Sequence, residues 1–439
     1  MDKESRVTEL MGFDHSYEFP CMYSGLVETD EVEHSNIFYW LFMSPKAKED
    51  TKLVLWFSGG PGGSGQGSIL DENGPLQFRV KDDKSVEVYS RIEESFAGVA
   101  NVIYVDQPLG VGYSSSDKNV TKGKEVGETM LQFMLEFYEL YPELHDQKLV
   151  IAGNSYAGHF IPNVVKEFLS YNKESNNQIP LDTMIVEDGY VDPITQRLSI
   201  KELVIGTGLL TLDYLSDYEL LEQKCEQAFY LSPDTAFSDC KAMNSMLSKT
   251  DGNWGIMDVR YPAGYNFLPG DVVNNYFSTK EVQRQLHTIT SESTIPFSSF
   301  NTTVYKNMRF DALIDNTADY NDIVNSGINT LIYTASLDGL DGALGTQLWL
   351  QNLEITQNED FEGIQSVYHY NGTDSELHVG GTFKVYQDKD GNRMSYSTVY
   401  NAGHVLGNTQ LPVSRALLED MILQGQPKCR GNQCGITSG

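Results

Sequence analysis

Basic residues are scarce in this chain. Its 439 residues include 31 lysines and arginines against 61 aspartates and glutamates, a formal net charge of −30. A surface of that sign repels a phosphate backbone, so nucleic acid is not an expected partner. Long apolar runs are missing as well. None approaches the roughly 18 residues of a membrane-spanning helix, and no membrane span is expected. The opening Met1-Asp2-Lys3-Glu4-Ser5 has no apolar signal-peptide core, which fits a chain made without a leader or a processed form. Cysteines number five: Cys21, Cys225, Cys240, Cys429 and Cys434. None has zinc-ligand spacing with a histidine. Cys225 and Cys240 lie close in sequence, as do Cys429 and Cys434, so two short-loop disulfides are expected, leaving Cys21 over. With three N-x-S/T sequons, at Asn119, Asn301 and Asn371, this points to the secretory pathway: a vacuolar, lysosomal or extracellular protein. The pI near 4.5 suits an acidic compartment.

What is present is a core. Hydrophobic residues make up 40% of the chain. Nearly continuous apolar runs occur at Leu53-Val54-Leu55-Trp56-Phe57, Val102-Ile103-Tyr104-Val105, Leu149-Val150-Ile151 and Met184-Ile185-Val186. Strands buried on both faces read this way. Helical periodicity lies between them, as in Val126, Met130, Phe133, Phe137 and Leu140. The alternation predicts a mostly parallel sheet flanked by helices. From about 195 to 305 strand-like runs thin out and helical stretches take over. The strand pattern resumes at Thr330-Leu331-Ile332-Tyr333 and Ser397-Thr398-Val399-Tyr400, and a helix from about Pro412 to Leu423 closes the chain. The expected organisation is therefore α/β: core 1–194, a helical cap insertion 195–305, and core 306–439.

The sharpest local signal is Gly153-Asn154-Ser155-Tyr156-Ala157-Gly158, which follows an apolar strand and precedes an amphipathic stretch. A serine on a tight strand-to-helix turn stands exposed above a sheet, the nucleophile elbow of α/β-hydrolases. A serine hydroxyl needs a base, and the base needs an orienting acid. In this architecture they follow as Ser, Asp, His on later strand ends. Asp338 comes after Leu331-Ile332-Tyr333, and His404 after the strand ending at Tyr400. Ser155, Asp338 and His404 are thus the expected triad. Upstream, Ser58-Gly59-Gly60-Pro61-Gly62-Gly63-Ser64-Gly65 follows the strand ending at Phe57. It lacks the Gly-Lys-Ser/Thr of a phosphate loop. It lets a backbone N–H approach a substrate closely, so the N–H groups of Gly60 and Tyr156 are the expected oxyanion donors. This chemistry calls for no metal and no organic cofactor.

Taken together, Trp56-Phe57-Ser58-Gly59-Gly60-Pro61-Gly62, Glu72-Asn73-Gly74-Pro75, Val105-Asp106-Gln107-Pro108, the elbow, Asp188-Gly189-Tyr190-Val191-Asp192-Pro193 and Ala402-Gly403-His404 resemble the serine carboxypeptidase family within the α/β-hydrolases. The resemblance runs from about Phe19 to the final helix. It implies release of C-terminal amino acids from peptides through an acyl-enzyme at acidic pH, with peptide or protein C-termini as substrate. It also implies that the substrate carboxylate is held by a loop asparagine, a glycine N–H and two glutamates sharing acidic protons. Gly59 and Glu72 match that set. Ser58 stands in place of the asparagine, and Asn154 in place of the elbow glutamate. On this reading Glu72 has no like-charge neighbour, and KM for a free C-terminus should rise less steeply between about pH 5 and pH 7 than with glutamate at 154. Asp341 is expected as a solvated loop acid, the alternative being a pocket acid that favours a basic side chain. Val405, Gly407 and Asn408-Thr409-Gln410 depart from the family on the leaving-group side. The family resemblance leaves two other readings open: an acyltransferase that excludes water, and a protective, non-catalytic binding role.

Overall fold

The computed structural model describes residues 4–83, 85–247, 255–265, 267–289, 293–357, 366–372 and 376–430. Among them, eleven strands form one sheet. In chain order they are β1 (Arg6–Val7), β2 (Met22–Asp30), β3 (Ser35–Phe42), β4 (Leu53–Phe57), β7 (Asn101–Val105), β8 (Leu149–Asn154), β9 (Leu181–Glu187), β10 (Asn329–Ala335), β11 (Ser366–Asn371), β12 (Leu377–Gln387) and β13 (Arg393–Val399). A separate hairpin pairs β5 (Leu76–Val80) with β6 (Val86–Ser90). The spatial order is β1-β2-β3-β7-β4-β8-β9-β10-β13-β12-β11. The central run from β7 to β13 is parallel. Antiparallel strands finish both edges. The apolar runs read from sequence are these central strands: every residue of β4 and β7 is buried.

Burial on both faces follows from helices on both sides. On one face α2 (Gly123–Leu140) and α3 (Ala157–Glu174) insert Met130, Phe133, Phe137, Phe160 and Val164 into the core. On the other, α1 (Gly65–Asp71) and the C-terminal helix Gly407–Gln424 contribute Ile69, Leu70, Leu417 and Met421. Each such side chain stabilises by about 1.5–3 kcal/mol relative to exposure. The final helix starts earlier than the apolar pattern suggests and is kinked at Gln410, beside Pro412, whose ring has no N–H to give the ladder.

Between β9 and β10 the described residues form helices without a strand. Those from Pro193 to Leu247 bury a small cluster of their own, built on Ile200, Val204, Leu210, Tyr218 and Met243. The later helices Gly270–Phe277 and Lys280–Gln285 instead insert Val273, Phe277 and Val282 into the core of the sheet, beside Trp40.

Cys225 and Cys240 form a disulfide across a separation of 15 residues, joining the two long helices of that cluster. Cys429 is also disulfide-bonded, whereas Cys434 lies outside the described residues. Cys21 is free and exposed. Without reduction, iodoacetamide should therefore modify Cys21 and spare Cys225 and Cys240. A Cys21-linked peptide in a non-reducing digest would show the pairing to be otherwise. No described helix is long and apolar enough to cross a membrane.

Candidate active site

The elbow is built from small residues. A Cβ at Gly153 would sit 2.5 Å from the Phe57 carbonyl oxygen and 2.7 Å from the Ala157 methyl, so a side chain there would push β8 away from β4. Ser155 takes φ +59°, a left-handed conformation that costs an ordinary residue of order 1 kcal/mol. It is held there from both sides: its N–H donates to the Glu187 carbonyl at 2.9 Å, and its carbonyl accepts from the Tyr190 N–H at 2.9 Å. α3 begins two residues later, so the serine faces the positive end of an 18-residue helix.

Asp338 and His404 come from loops after β10 and β13, whose strands are parallel neighbours. The loops are tied together by Ser336 N–H to Val399 O and Leu337 N–H to Ala402 O, each 2.9 Å. His404 Nδ1 meets Asp338 Oδ2 at 2.8 Å, and both side chains are buried. Asp338 Oδ1 accepts the Leu340 N–H at 2.7 Å. The carboxylate is thereby fixed before it orients the ring. Asp188 lies close by, with Oδ1 held by the Ala335 N–H at 2.7 Å and Oδ2 without a donor. Ligand atoms of Asp188, Asp338 and His404 lie within 4.8 Å of one another and could face a cation. Nδ1, however, is committed to Asp338, so this set reads as an acid–base group.

The glycine loop after β4 is fixed from beneath by the Asp-Gln-Pro segment. Buried Asp106 accepts from Ser64 Oγ at 2.7 Å, Gly65 N–H at 2.9 Å and Tyr113 N–H at 2.9 Å. Gln107 Nε2 donates to the Ser58 carbonyl at 3.3 Å. The loop then runs past the elbow, with Gly60 at φ +124°.

A cleft of about 440 Å³ opens here. It is lined by Ser58, Gly59, Gly60, Glu72, Asn154, Ser155 and His404, together with Met257, Phe300, Tyr305, Leu340 and Val405. Tyr156 is buried beneath, its hydroxyl donating to Asp311 Oδ2 at 2.9 Å. A larger cleft, about 730 Å³ around Cys21 and Arg91, contains none of these groups. Within the active cleft the Gly59 N–H donates to Asn154 Oδ1 at 3.2 Å. That bond fixes the amide so that its Nδ2 remains the donor end. Ser58 Oγ lies 2.7 Å from Ser68 Oγ, and Ser68 in turn bonds Glu72. A neighbouring cavity of about 460 Å³ is bordered by Asp71, Gly407, Asn408 and Thr409. A Cβ at Gly407 would lie 1.8 Å from the Glu72 carbonyl oxygen. The departure from the family at this position is thus a close approach of two backbones.

Two expectations are overturned. Asp341 is not solvated: it is 3% exposed. Nor is it on the cleft wall. Its Oδ2 lies 4.0 Å from His404 Nδ1. Burial lifts its carboxyl to about 7, against the pull of His404 and Arg197. His404 consequently faces two carboxylates. Burial disfavours its charge, but Asp338, Asp341 and Glu187 outweigh burial and raise it to about 9. Secondly, Glu72 does have a like-charge neighbour, Glu187 at the end of β9, which the sequence reading missed. Burial first, and Glu187 second, hold the Glu72 carboxyl well above its usual range. Glu187 is the residue just before the family-like Asp188-Gly189 segment. An acid ending an otherwise apolar parallel strand was the available signal.

A family model described as serine carboxypeptidase matches residues 13–424. Serine carboxypeptidase S10 family member 2 of Dictyostelium discoideum is 28% identical over 407 residues, covering 86% of this chain and 70% of that protein. Serine carboxypeptidase 3 of Oryza sativa subsp. japonica is 28% identical over 415 residues, covering 90% and 78%. Among solved structures, a prohormone-processing carboxypeptidase from Saccharomyces cerevisiae superposes with a TM-score of 0.83 at 22% identity, covering 98% of each chain. That likeness establishes the α/β-hydrolase fold, and the family match establishes the rest: this chain belongs to the serine carboxypeptidase family and is a hydrolase of that class.

Proposed function

We propose that the cleft removes C-terminal amino acids from peptides by acyl transfer to Ser155. Ser155 Oγ attacks the last peptide carbonyl while His404 takes its proton. The developing oxyanion is met by the N–H groups of Gly60 and Tyr156. His404 then protonates the departing amine. Water, deprotonated by His404, releases the acyl group in the reverse sequence. Asp338 holds the imidazole with its proton on Nδ1, leaving Nε2 as the base. The substrate's carboxylate is met by the Asn154 amide, the Ser58 hydroxyl and a protonated Glu72, with Gly59 acting through its hold on Asn154. The single observation that carries the reading is one cleft lined by a left-handed serine, the histidine of a buried His–Asp pair and a buried carboxylic acid.

The pH dependence has two opposed limbs. Turnover needs a neutral His404, lost as pH falls. Carboxylate capture needs a proton on Glu72, lost as pH rises. The expectation of acidic activity rests on the second limb, and the carboxylates around His404 pull against it. The disulfides and sequons support a secretory-pathway location, and within the expected cap 195–305 the helices up to Leu247, which bury a cluster of their own, are read as the cap, those at Gly270–Phe277 and Lys280–Gln285 belonging with the sheet.

The test is a blocked dipeptide with a free C-terminus, followed by mass spectrometry at about pH 5 and about pH 7. Release of the free C-terminal amino acid is expected. Recovery of only a transferred acyl group would favour an acyltransferase. Failure of an organophosphonate to label Ser155 would favour a binding role.

A further inference from the structure

Asn154 leaves the elbow without its acid, yet the acid has not left the site. β8 and β9 pair in parallel register with Asn154 opposite Glu187, and β9 and β10 pair with Glu187 opposite Tyr333. Directly paired residues of parallel strands point to the same face. Asn154, Glu187 and Tyr333 therefore form one row across three strand ends, beneath Glu72. Glu187 is fully buried and Glu72 3% exposed. Two ionised carboxylates cannot rest against each other there, and these two are hydrogen-bonded to one another, which requires a proton between them.

The other contacts of the pair fix which oxygen does what. Glu187 Oε2 accepts from the Tyr333 hydroxyl and from Ser414 Oγ at 3.4 Å, and Oε1 accepts the Leu406 N–H at 3.3 Å. Glu187 is thus supplied with donors throughout, as an ionised partner should be. Glu72 bonds Ser68 and has its Oε1 buried without a donor. Only Glu72 lines the cleft.

We propose that Glu187, one strand over from the elbow, is the positioning acid of the carboxylate site: its buried charge holds one proton on Glu72, which rests against Glu187 in the free site and turns to the substrate's C-terminal carboxylate on binding, leaving Glu187 to its Tyr333, Ser414 and Leu406 donors. This rests on the carboxypeptidase reading above. The arrangement leaves position 154 to an amide, which donates at any pH. It also links substrate capture to the base, because the same Glu187 carboxyl holds the N–H of Leu406, two residues after His404.

Other titratable groups face the pair from each neighbouring element. Asp71 precedes Glu72 at the end of α1, and Tyr104 on β7 and Tyr333 on β10 close the far sides. His404 lies beside Glu187, and Asp188 follows it in the chain. None of these offers Glu72 a second proton-sharing contact.

Glu187→Gln keeps the size but only one of the two acceptor oxygens, so it can accept from Tyr333 and Ser414 or from Leu406 but not from both, and it removes the shared proton. With the like charge gone, Glu72 loses its proton at lower pH. At about pH 7 the variant's KM for a blocked dipeptide with a free C-terminus should be about tenfold above wild type, the equivalent of one pKa unit. Near pH 5 the two should converge. The methyl ester of the same dipeptide, which has no carboxylate, should show one KM with both proteins. Equal KM rises for acid and ester, or superimposed KM–pH profiles, would overturn the assignment. An infrared titration reads the same proton without turnover: the protonated-carboxyl band should persist to higher pH in wild type than in Glu187→Gln. Loss at the same pH in both would overturn it even for a chain that hydrolyses nothing.

Discussion

Replacing Ser155 or His404 by alanine is expected to lower kcat by roughly 10⁴ to 10⁶, with no loss of the cooperative fold. The magnitude follows from the unit these residues form. Without the hydroxyl there is no acyl-enzyme. Without the imidazole the hydroxyl keeps its proton near neutral pH. The fold should survive because the elbow is held by backbone bonds, Ser155 N–H to Glu187 O and Tyr190 N–H to Ser155 O, which alanine preserves. Alanine also has less reason than serine to tolerate φ +59°, so a drop in Tm of a few degrees is compatible with this view. Because the two act together, the double variant should lose little more than either single one. The check is kcat on a free-C-terminus dipeptide with circular dichroism in parallel. More than a tenth of wild-type kcat in either variant would sink the assignment.

Which parts of this site a sequence can disclose has a physical pattern. The central strands were legible because parallel strands covered on both faces are apolar at every position, as β4 and β7 are. Ser155, Asp338 and His404 were legible because each follows a strand end in a fixed order. The Asp106 segment was recognisable as a motif, but its purpose, three hydrogen bonds under the glycine loop, appears only in space. Glu187 and Asp341 were not legible. An acid's burial depends on what covers it, and both are covered by segments distant in sequence: Glu187 by Glu72, Leu406 and Ser414, Asp341 by His404. The antiparallel strands β11 and β12 also escaped, since half-buried strands carry polar residues that break an apolar run.

The two acids beside His404 should behave oppositely when neutralised. Asp338 accepts the Nδ1 proton at 2.8 Å, and Asp338→Asn presents an amide that can turn its N–H toward the ring. The ring then carries its proton on the wrong nitrogen, and kcat should fall by about 10⁴. Asp341 lies 4.0 Å from the same nitrogen without that geometry, and it acts through charge. Its sign is clear. A negative charge beside the imidazole favours the protonated ring, which cannot act as a base, so Asp341 is among the groups holding His404 up to about 9. Opposite charges some 4 Å apart interact by about 4 kcal/mol at an effective dielectric constant near 20, more than one pKa unit. Asp341→Asn should therefore move the acid limb of kcat/KM down by a unit or more and raise activity about tenfold near neutral pH. Asp341 itself takes up a proton at about 7. The gain should thus be largest between about 7 and 9 and fade below, where the wild-type acid is already neutral. The measurement is kcat/KM against pH for both variants on one ester substrate, which removes the Glu72 limb from the profile. An Asp341→Asn profile that coincides with wild type, or whose acid limb moves upward, would show that this buried acid does not act on His404.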